Sequence, residues 1–367
     1  MAPGSVVRPA DRAAPPARLA SVDALRGLAV AAMLLVNTPG DWDHVYAPLL
    51  HAAWHGCTLA DLVFPTFLFV VGVSIALSLS PRREAGAGVA RLRRSVLLRA
   101  ARLVLVGLAL HLLAWWVLDL ANFRPWGLLQ RIGVCFALAG LAALSLSPRG
   151  QWTLLAGLLV ASAVALGLGG TAPGTNLFDR LDTALFAPWL YRYDPVTGLG
   201  HDPEGLASTA GALATTLLGV RAGDWLRAGR VRALLALGVA ACMLGAAWSL
   251  VLPFNKPLWS SSYVLWTGGL AALALVGLHL LIDRRGWPAW GRRFGVNAIA
   301  VYAGSSALVL LAIGAGLWAP LYRVLFAAPL APVLGAQGAS LAFALAFVAL
   351  WWAVAAWMDR RHWYLKV

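Results

Sequence analysis

Apolar runs of about 18 to 23 residues, each long enough to cross a hydrocarbon core of roughly 30 Å, recur along almost the entire chain. Ten are predicted, at 20–38, 58–80, 96–118, 128–147, 152–170, 206–220, 233–252, 263–282, 296–318 and 340–357. The sixth is short and weak, and the parity of everything after it depends on it. The pattern predicts an all-α polytopic membrane helical bundle. Most polar connections are short. The exception, at 171–205, reads TAPGTNLFDRLDTALFAPWLYRYDPVTGLGHDPEG, and its aromatics, carboxylates and turn residues suit an ordered cap. Residues 1–18, rich in Pro, Ala and Arg, read as a disordered tail. No boundary, repeat or low-complexity linker divides 19–367, so it reads as a single transmembrane domain. The first apolar run resembles a signal peptide in length, but Asp23 and Arg26 interrupt its start and no small-residue cleavage site follows.

Composition agrees with the pattern: 367 residues, 60% hydrophobic and 12% charged. The net charge of +14 does not point to nucleic acid, because the basic residues are scattered between spans and not gathered on one soluble face. Topology accounts for them. With the N-terminus inside, the inner segments hold 20 Lys and Arg residues and the outer segments 5, as the positive-inside rule requires. Both termini are therefore expected to be cytoplasmic, with 37–61 facing outward. Cys57, Cys135 and Cys242 lack paired spacing and read as small core-filling residues. Most of the 18 Trp residues sit near predicted span ends, as an interfacial belt would place them.

The first outer connection carries the densest chemistry. Asn37 ends span 1, while His51, His55 and Asp61 precede or open span 2 in HAAWHGCTLAD. Polar groups at the mouth of a span are costly to desolvate and tend to face a cavity or a partner. If 51–61 is helical, His51, His55 and Asp61 fall roughly on one face. Three readings stand. The residues can be helix caps and interfacial anchors. With Asp41, Asp43 and His44 nearby, they can be metal ligands, although no His-Glu-x-x-His pattern or fixed second ligand pair is present. Or an imidazole acts as general base or acyl acceptor, Asp61 fixes its tautomer, and Asn37 donates to a developing oxyanion. A second polar group comprises Asp23 and Arg26 on the entering turn of span 1, Gln130 and Arg131 opening span 4, and Arg99 and Arg102 in span 3. Asp23 and Arg26 can pair, and Arg99 and Arg102 can snorkel to lipid headgroups. Together these guanidinium groups also match an anionic, phosphate-bearing substrate.

Several blocks in order carry a resemblance: SVDALRG at 21–27, VNTPG at 36–40, HAAWHGCTLADLVFPTFLFVVG at 51–72 and LLQRIGV at 128–134. They continue with DPEGL and its following Ser and Thr at 202–209, NKPLWSSSYVLWTGG at 255–269, and GVNAIAVY at 295–302. In these the chain resembles the transmembrane acyltransferases typified by heparan-alpha-glucosaminide N-acetyltransferase, especially their bacterial relatives. The resemblance implies an enzyme of the bacterial inner membrane that takes an acetyl group from cytosolic acetyl-CoA to an amino sugar or glycan on the far side. It places the essential histidine on His51, with Asn37 and Asp61 as its companions. Arg26, Gln130 and Arg131 are the expected contacts to acetyl-CoA, and Trp54, His55, Asp202 and Glu204 those to the acceptor. No metal is expected. Two positions depart from the family pattern: His55 stands where the animal member has Asn, and Ala53 where bacterial relatives often have Glu. The animal member also has a luminal N-terminal region and a further span, so the expected acceptor is not lysosomal heparan sulfate. The expected partners are membrane lipid, acetyl-CoA and the acceptor, without nucleic acid, and the oligomeric state, homodimer included, stays open. The rival class is a sugar or amino-sugar transporter, which would hold its substrate near the bilayer midplane between broken helices.

Overall fold

A computed structural model describes residues 19–365, so the predicted tail at 1–18 lies outside the described residues. The long helices are α1 (Ala20–Asn37), α2 (Leu59–Glu84), α3 (Val89–Val117), α4 (Leu128–Ser145) and α5 (Pro148–Gly169). After a short α6 (Leu177–Phe186) come two strands, β1 (Arg192–Asp194) and β2 (Leu199–His201). The chain continues through α7 (Thr209–Arg227), α8 (Val231–Ser249), α9 (Ser261–Leu278), α10 (Arg292–Val296), α11 (Ala298–Gly314), α12 (Trp318–Tyr322) and α13 (Ala328–Arg360). The expected all-α architecture therefore holds apart from one antiparallel hairpin, with Tyr193 opposite Gly200, inside the 171–205 cap. That cap is ordered, with α6 and the hairpin as its frame.

Eight helical runs among the described residues are long and apolar enough to cross a membrane, which makes this a multi-pass membrane protein. The sequence pattern predicted ten, and the two that differ have physical reasons. The sixth is α7, a full 19-residue helix with fifteen of its residues buried. It packs against α2, α4, α5, α8 and α9, so protein surrounds it and it tolerates Thr215, Thr216, Arg221 and Asp224. A helix enclosed by protein need not be apolar all round. The ninth is α11, apolar but only 17 residues long. The tenth lies within one helical run from Trp318 to Arg360, broken at Gly335, whose φ of 74° is open to glycine and strained for other residues.

In the core, α2 and α7 meet at backbone contact. A Cβ on Gly72 would lie 2.0 Å from the Thr216 carbonyl oxygen, and one on Gly219 would lie 2.0 Å from that of Phe69. Only glycine lets the two backbones meet so closely. This contact fixes α2, and with it Asp61 at its first turn, against the buried centre of the bundle.

The ends of the bundle differ in chemistry. The 38–58 connection, the start of α2 and the cap share one end, where the Trp54 indole N–H donates to the Thr171 carbonyl at 2.7 Å. At the other end, α2 and α7 finish side by side and Arg227 pairs with Glu84. The arginine-rich connections after α2 and α7 therefore lie together, remote from His51.

Candidate active site

The α2 helix starts at Leu59, and 51–58 is irregular chain. The expectation that His51, His55 and Asp61 share a helical face is therefore wrong. Their grouping arises in another way. Asp61 is the third residue of α2, and its Oδ2 accepts from the Thr58 N–H at 3.1 Å, the Thr58 hydroxyl at 3.1 Å and the Ala52 N–H at 3.0 Å. The first of these bonds is the reciprocal half of a capping box. The same bonds fold 51–58 back over the helix start. They leave Oδ1 facing His51, whose Nδ1 lies 2.8 Å away. Asp61 is thus both the cap and the partner of the imidazole: one oxygen serves the backbone and the other the ring. Asp61 is 1% exposed and the His51 side chain 43% exposed, so a buried carboxylate orients a ring that reaches solvent. With a proton on Nδ1 for Asp61, the other nitrogen, Nε2, is an acceptor.

The third member comes from the connection between α8 and α9. Lys256 Nζ lies 3.1 Å from both ring nitrogens of His51 and 3.6 Å from Asp61 Oδ1. Asn255 pins this connection: its Oδ1 accepts from Leu258 N–H, and its Nδ2 donates to the Trp54 carbonyl at 3.1 Å. Behind it, the fully buried Tyr263 hydroxyl donates to the Asp61 carbonyl at 2.5 Å. Burial pulls the Lys256 pKa down, while Asp61 and Glu204 oppose that shift. Cys57, beside the pair, is pushed up to about 12 by burial and by the Asp61 charge, so its thiol stays protonated. All three cysteines are free.

The structure separates the remaining predicted residues. Asn37 makes no hydrogen bond with His51 or Asp61 among the described residues. It lines a cavity of about 260 Å³ with His111, Gln130, Tyr302 and Ser305, walled by Met33 and other apolar side chains. Gln130 Oε1 in that wall is buried with no hydrogen-bond partner among the described residues. Trp54 ties the site loop to the cap, and the exposed His55 lies 3.4 Å from Asn255 Nδ2. Asp202 is saturated. It receives a two-pronged contact from Arg124, with Nε at 2.8 Å, and the N–H groups of Tyr191 and Glu204. Glu204 accepts from Arg124 at 2.6 Å. Burial raises the pKa of Glu204, yet Arg124 and Arg131 hold it below the ordinary range.

Gln130, Arg131 and Arg26 do not form one group. Arg131 is 0% exposed and sits beneath the cap, donating to the Gly205 carbonyl at 2.8 Å and the Ser208 hydroxyl at 2.5 Å. Its guanidinium lies 5.2 Å from the ring of Trp259, a buried residue at the positive φ of 50°. Such a backbone angle in a bulky residue marks local strain, of the kind that clusters at functional sites. Arg26 is near the opposite end of α1, bonded to Asp23 at 3.0 Å, Ser74 at 2.6 Å and the Gly295 carbonyl at 3.1 Å. It lines a second cavity of about 250 Å³ with Arg99, whose guanidinium also lies 5.0 Å from the Phe136 ring. Arg102 is exposed. Among the described residues no group of three or more His, Cys, Asp or Glu side chains is arranged to hold a metal ion.

Two residues escaped the sequence reading. Lys256 had a weak signal, a lone outer-side lysine next to Asn255 in a block already singled out. His111 had a stronger one, a histidine in the middle of the apolar run of α3, where an ionisable residue is a functional candidate by default. Its Nδ1 is bonded to the Arg124 carbonyl at 2.6 Å, which leaves the rest of the ring to the Asn37 cavity.

Fold and site together define a multi-pass membrane protein with an imidazole, a buried carboxylate and an ammonium at one mouth of its bundle. Residues 18–187, a stretch that carries Asn37, His51 and Asp61, match the family described as heparan-alpha-glucosaminide N-acetyltransferase, catalytic. Heparan-alpha-glucosaminide N-acetyltransferase of Homo sapiens is 31% identical over 364 residues, an alignment that covers 79% of this chain and 53% of that protein. The protein of the same name from Mus musculus is 30% identical over 363 residues, covering 79% and 54%. The chain thus spans about half the length of these relatives. Asp202, Glu204 and Lys256 fall outside the family match.

Proposed function

We propose that this chain is a transmembrane acyltransferase of a bacterial inner membrane, moving an acetyl group from cytosolic acetyl-CoA to an amino sugar or glycan on the extracytoplasmic side. The observation that carries this reading is the bond between His51 Nδ1 and buried Asp61, which leaves Nε2 as the acceptor nitrogen of a ring that reaches solvent. An amine attacks a thioester only as the neutral base, so a proton must leave it. His51 Nε2 receives that proton and Asp61 stabilises the imidazolium that forms. The proton then passes to the departing thiolate.

The route for the donor follows from the two cavities. One holds Leu103, Ile132 and Ile299, and the other Gly107, Leu129 and Tyr302. Each pair of positions is three or four residues apart on α3, α4 and α11, so the cavities are offset by about one helical turn, roughly 5 Å. Arg26 and Arg99 at the remote cavity suit the phosphates of CoA, and Asn37 and Gln130 at the near one suit the polar end of its pantetheine arm. In this orientation both termini are cytoplasmic, which the arginine distribution supports.

The test uses purified protein in proteoliposomes with labelled acetyl-CoA inside and glucosamine outside. The expected result is covalently acetylated sugar outside, reduced by about a thousandfold in His51→Ala with unchanged thermal stability. Unmodified sugar crossing the membrane without acetylation would replace the enzyme by a carrier. Normal acetylation by His51→Ala would remove His51 from the reaction.

A further inference from the structure

Lys256 is too well placed to be a simple counter-ion. It forms an ion pair with Asp61 at 3.6 Å, and the His51 ring nitrogens are closer still, at 3.1 Å. The carboxylate is already occupied: Oδ2 takes three donors from Ala52 and Thr58, and Oδ1 takes His51 Nδ1. An ammonium carries three N–H groups, and His51 Nε2 can accept only one. Among the described residues the shortest contacts of Nζ are those with the His51 ring, with Asp61 farther off at 3.6 Å. The Lys256 side chain is 18% exposed, so its charge acts through a medium that screens it less than open water does. Glu204 and Arg131, whose charges Lys256 feels from the cap and from α4, have partners of their own.

We infer that Lys256 is a catalytic residue that donates a hydrogen bond to the thioester carbonyl oxygen as negative charge develops on it. This rests on the acyltransferase reading above. The geometry is what such a donor requires. An amine that takes the place of Lys256 on Nε2 attacks a carbon about one bond length beyond hydrogen-bond distance from that nitrogen, and the flexible ammonium it displaces reaches the oxygen on that carbon. In the step, the carbon–nitrogen bond forms and the carbon–sulfur bond breaks. The amine proton goes to His51 Nε2 and then to the leaving thiolate, and Lys256 keeps its three protons. The sequence alone suggested Asn37 for this donor, but Asn37 lines the neighbouring cavity with no bond to His51.

Binding of two inert donor analogues to the full chain in detergent isolates the role from turnover. S-acetonyl-CoA keeps a carbonyl near the sulfur but cannot transfer it, and S-propyl-CoA has none. Wild-type protein should bind the ketone about tenfold more tightly, the discrimination that one hydrogen bond to a charged donor gives. In Lys256→Met that preference should vanish, and in Lys256→Arg a large part of it should return. In turnover Lys256→Met should lose about a hundredfold in kcat with the KM for acetyl-CoA within about threefold. In unmutated protein, S-acetonyl-CoA should shield Lys256 from an amine-reactive label and S-propyl-CoA should not, a readout independent of any folding defect in the variants. A preference that survives in Lys256→Met, or equal labelling with both analogues, overturns the inference while leaving the acyltransferase reading intact. Binding of neither analogue overturns that reading, and this role with it.

Discussion

Asp61 and Asp202 are the same side chain in two nearly identical settings. Both are almost fully buried at the same end of the bundle, both accept from backbone N–H groups of an irregular segment, and both meet a cation. They differ in what the second oxygen holds. Asp202 is closed by Arg124, a planar donor that fills both its oxygens and also takes Glu204. Asp61 holds a ring that is 43% exposed, and the lysine beside it lies closer to that ring, at 3.1 Å, than to the carboxylate, at 3.6 Å. A saturated carboxylate can only hold the cap in place. One that orients an unsaturated imidazole can take part in a reaction, and this difference separates the site from its scaffold.

The comparison can be broken where the two carboxylates should respond oppositely. Asp61→Asn keeps an acceptor for the helix cap but removes the charge that orients His51. Its acetyl transfer should fall by about a thousandfold or more, with a stability loss near 1 kcal/mol from the weakened cap. Transfer within tenfold of wild type, measured on folded protein, would make Asp61 a cap and nothing else. Arg124→Met should show the reverse. It strands Asp202 and should cost about 3–5 kcal/mol of stability, seen as a lower melting temperature, while the fraction still folded keeps its rate. Asp202→Asn in the same chain should recover part of the loss, and a rate defect without instability would move this cluster into the chemistry.

The smallest effect concerns a third buried carboxylate in the cap. Asp182 is pushed up to about 6, chiefly by burial, with the Ala207 N–H bonded to it. A carboxyl whose folded pKa exceeds its unfolded value near 4 favours the folded chain below pH 4, and that contribution is lost as pH rises through 6. Asp182→Asn should therefore stabilise the protein by about 2 kcal/mol above pH 7 and by nothing below about pH 4. Melting curves across that range check it, and a benefit that grows toward acid pH would contradict the assignment.

Much of this was legible in the chain. Eight of the ten predicted spans were long and apolar enough to stand as such, and HAAWHGCTLAD announced the candidate site. The one-face argument reached the right pair, His51 and Asp61, for the wrong reason: 51–58 is coil, and the capping bonds bring the two together. The second guanidinium group failed for a related reason. Arg26 and Arg131 open different helices that enter the bundle from opposite ends, and spacing along a sequence carries no information about which end that is.

What the sequence by itself determined is the solvent: runs of apolar residues long enough to need a bilayer, with arginines concentrated in alternate connections, follow from transfer free energies that are local to each segment. The contacts of His51 were decided only by the tertiary structure. Lys256 is about two hundred residues from the ring it touches, and the meeting depends on Asn255 bridging two connections and on glycines that let α2 and α7 pack at backbone contact. Contacts of that kind belong to the packed bundle, and no single segment contains the forces that make them.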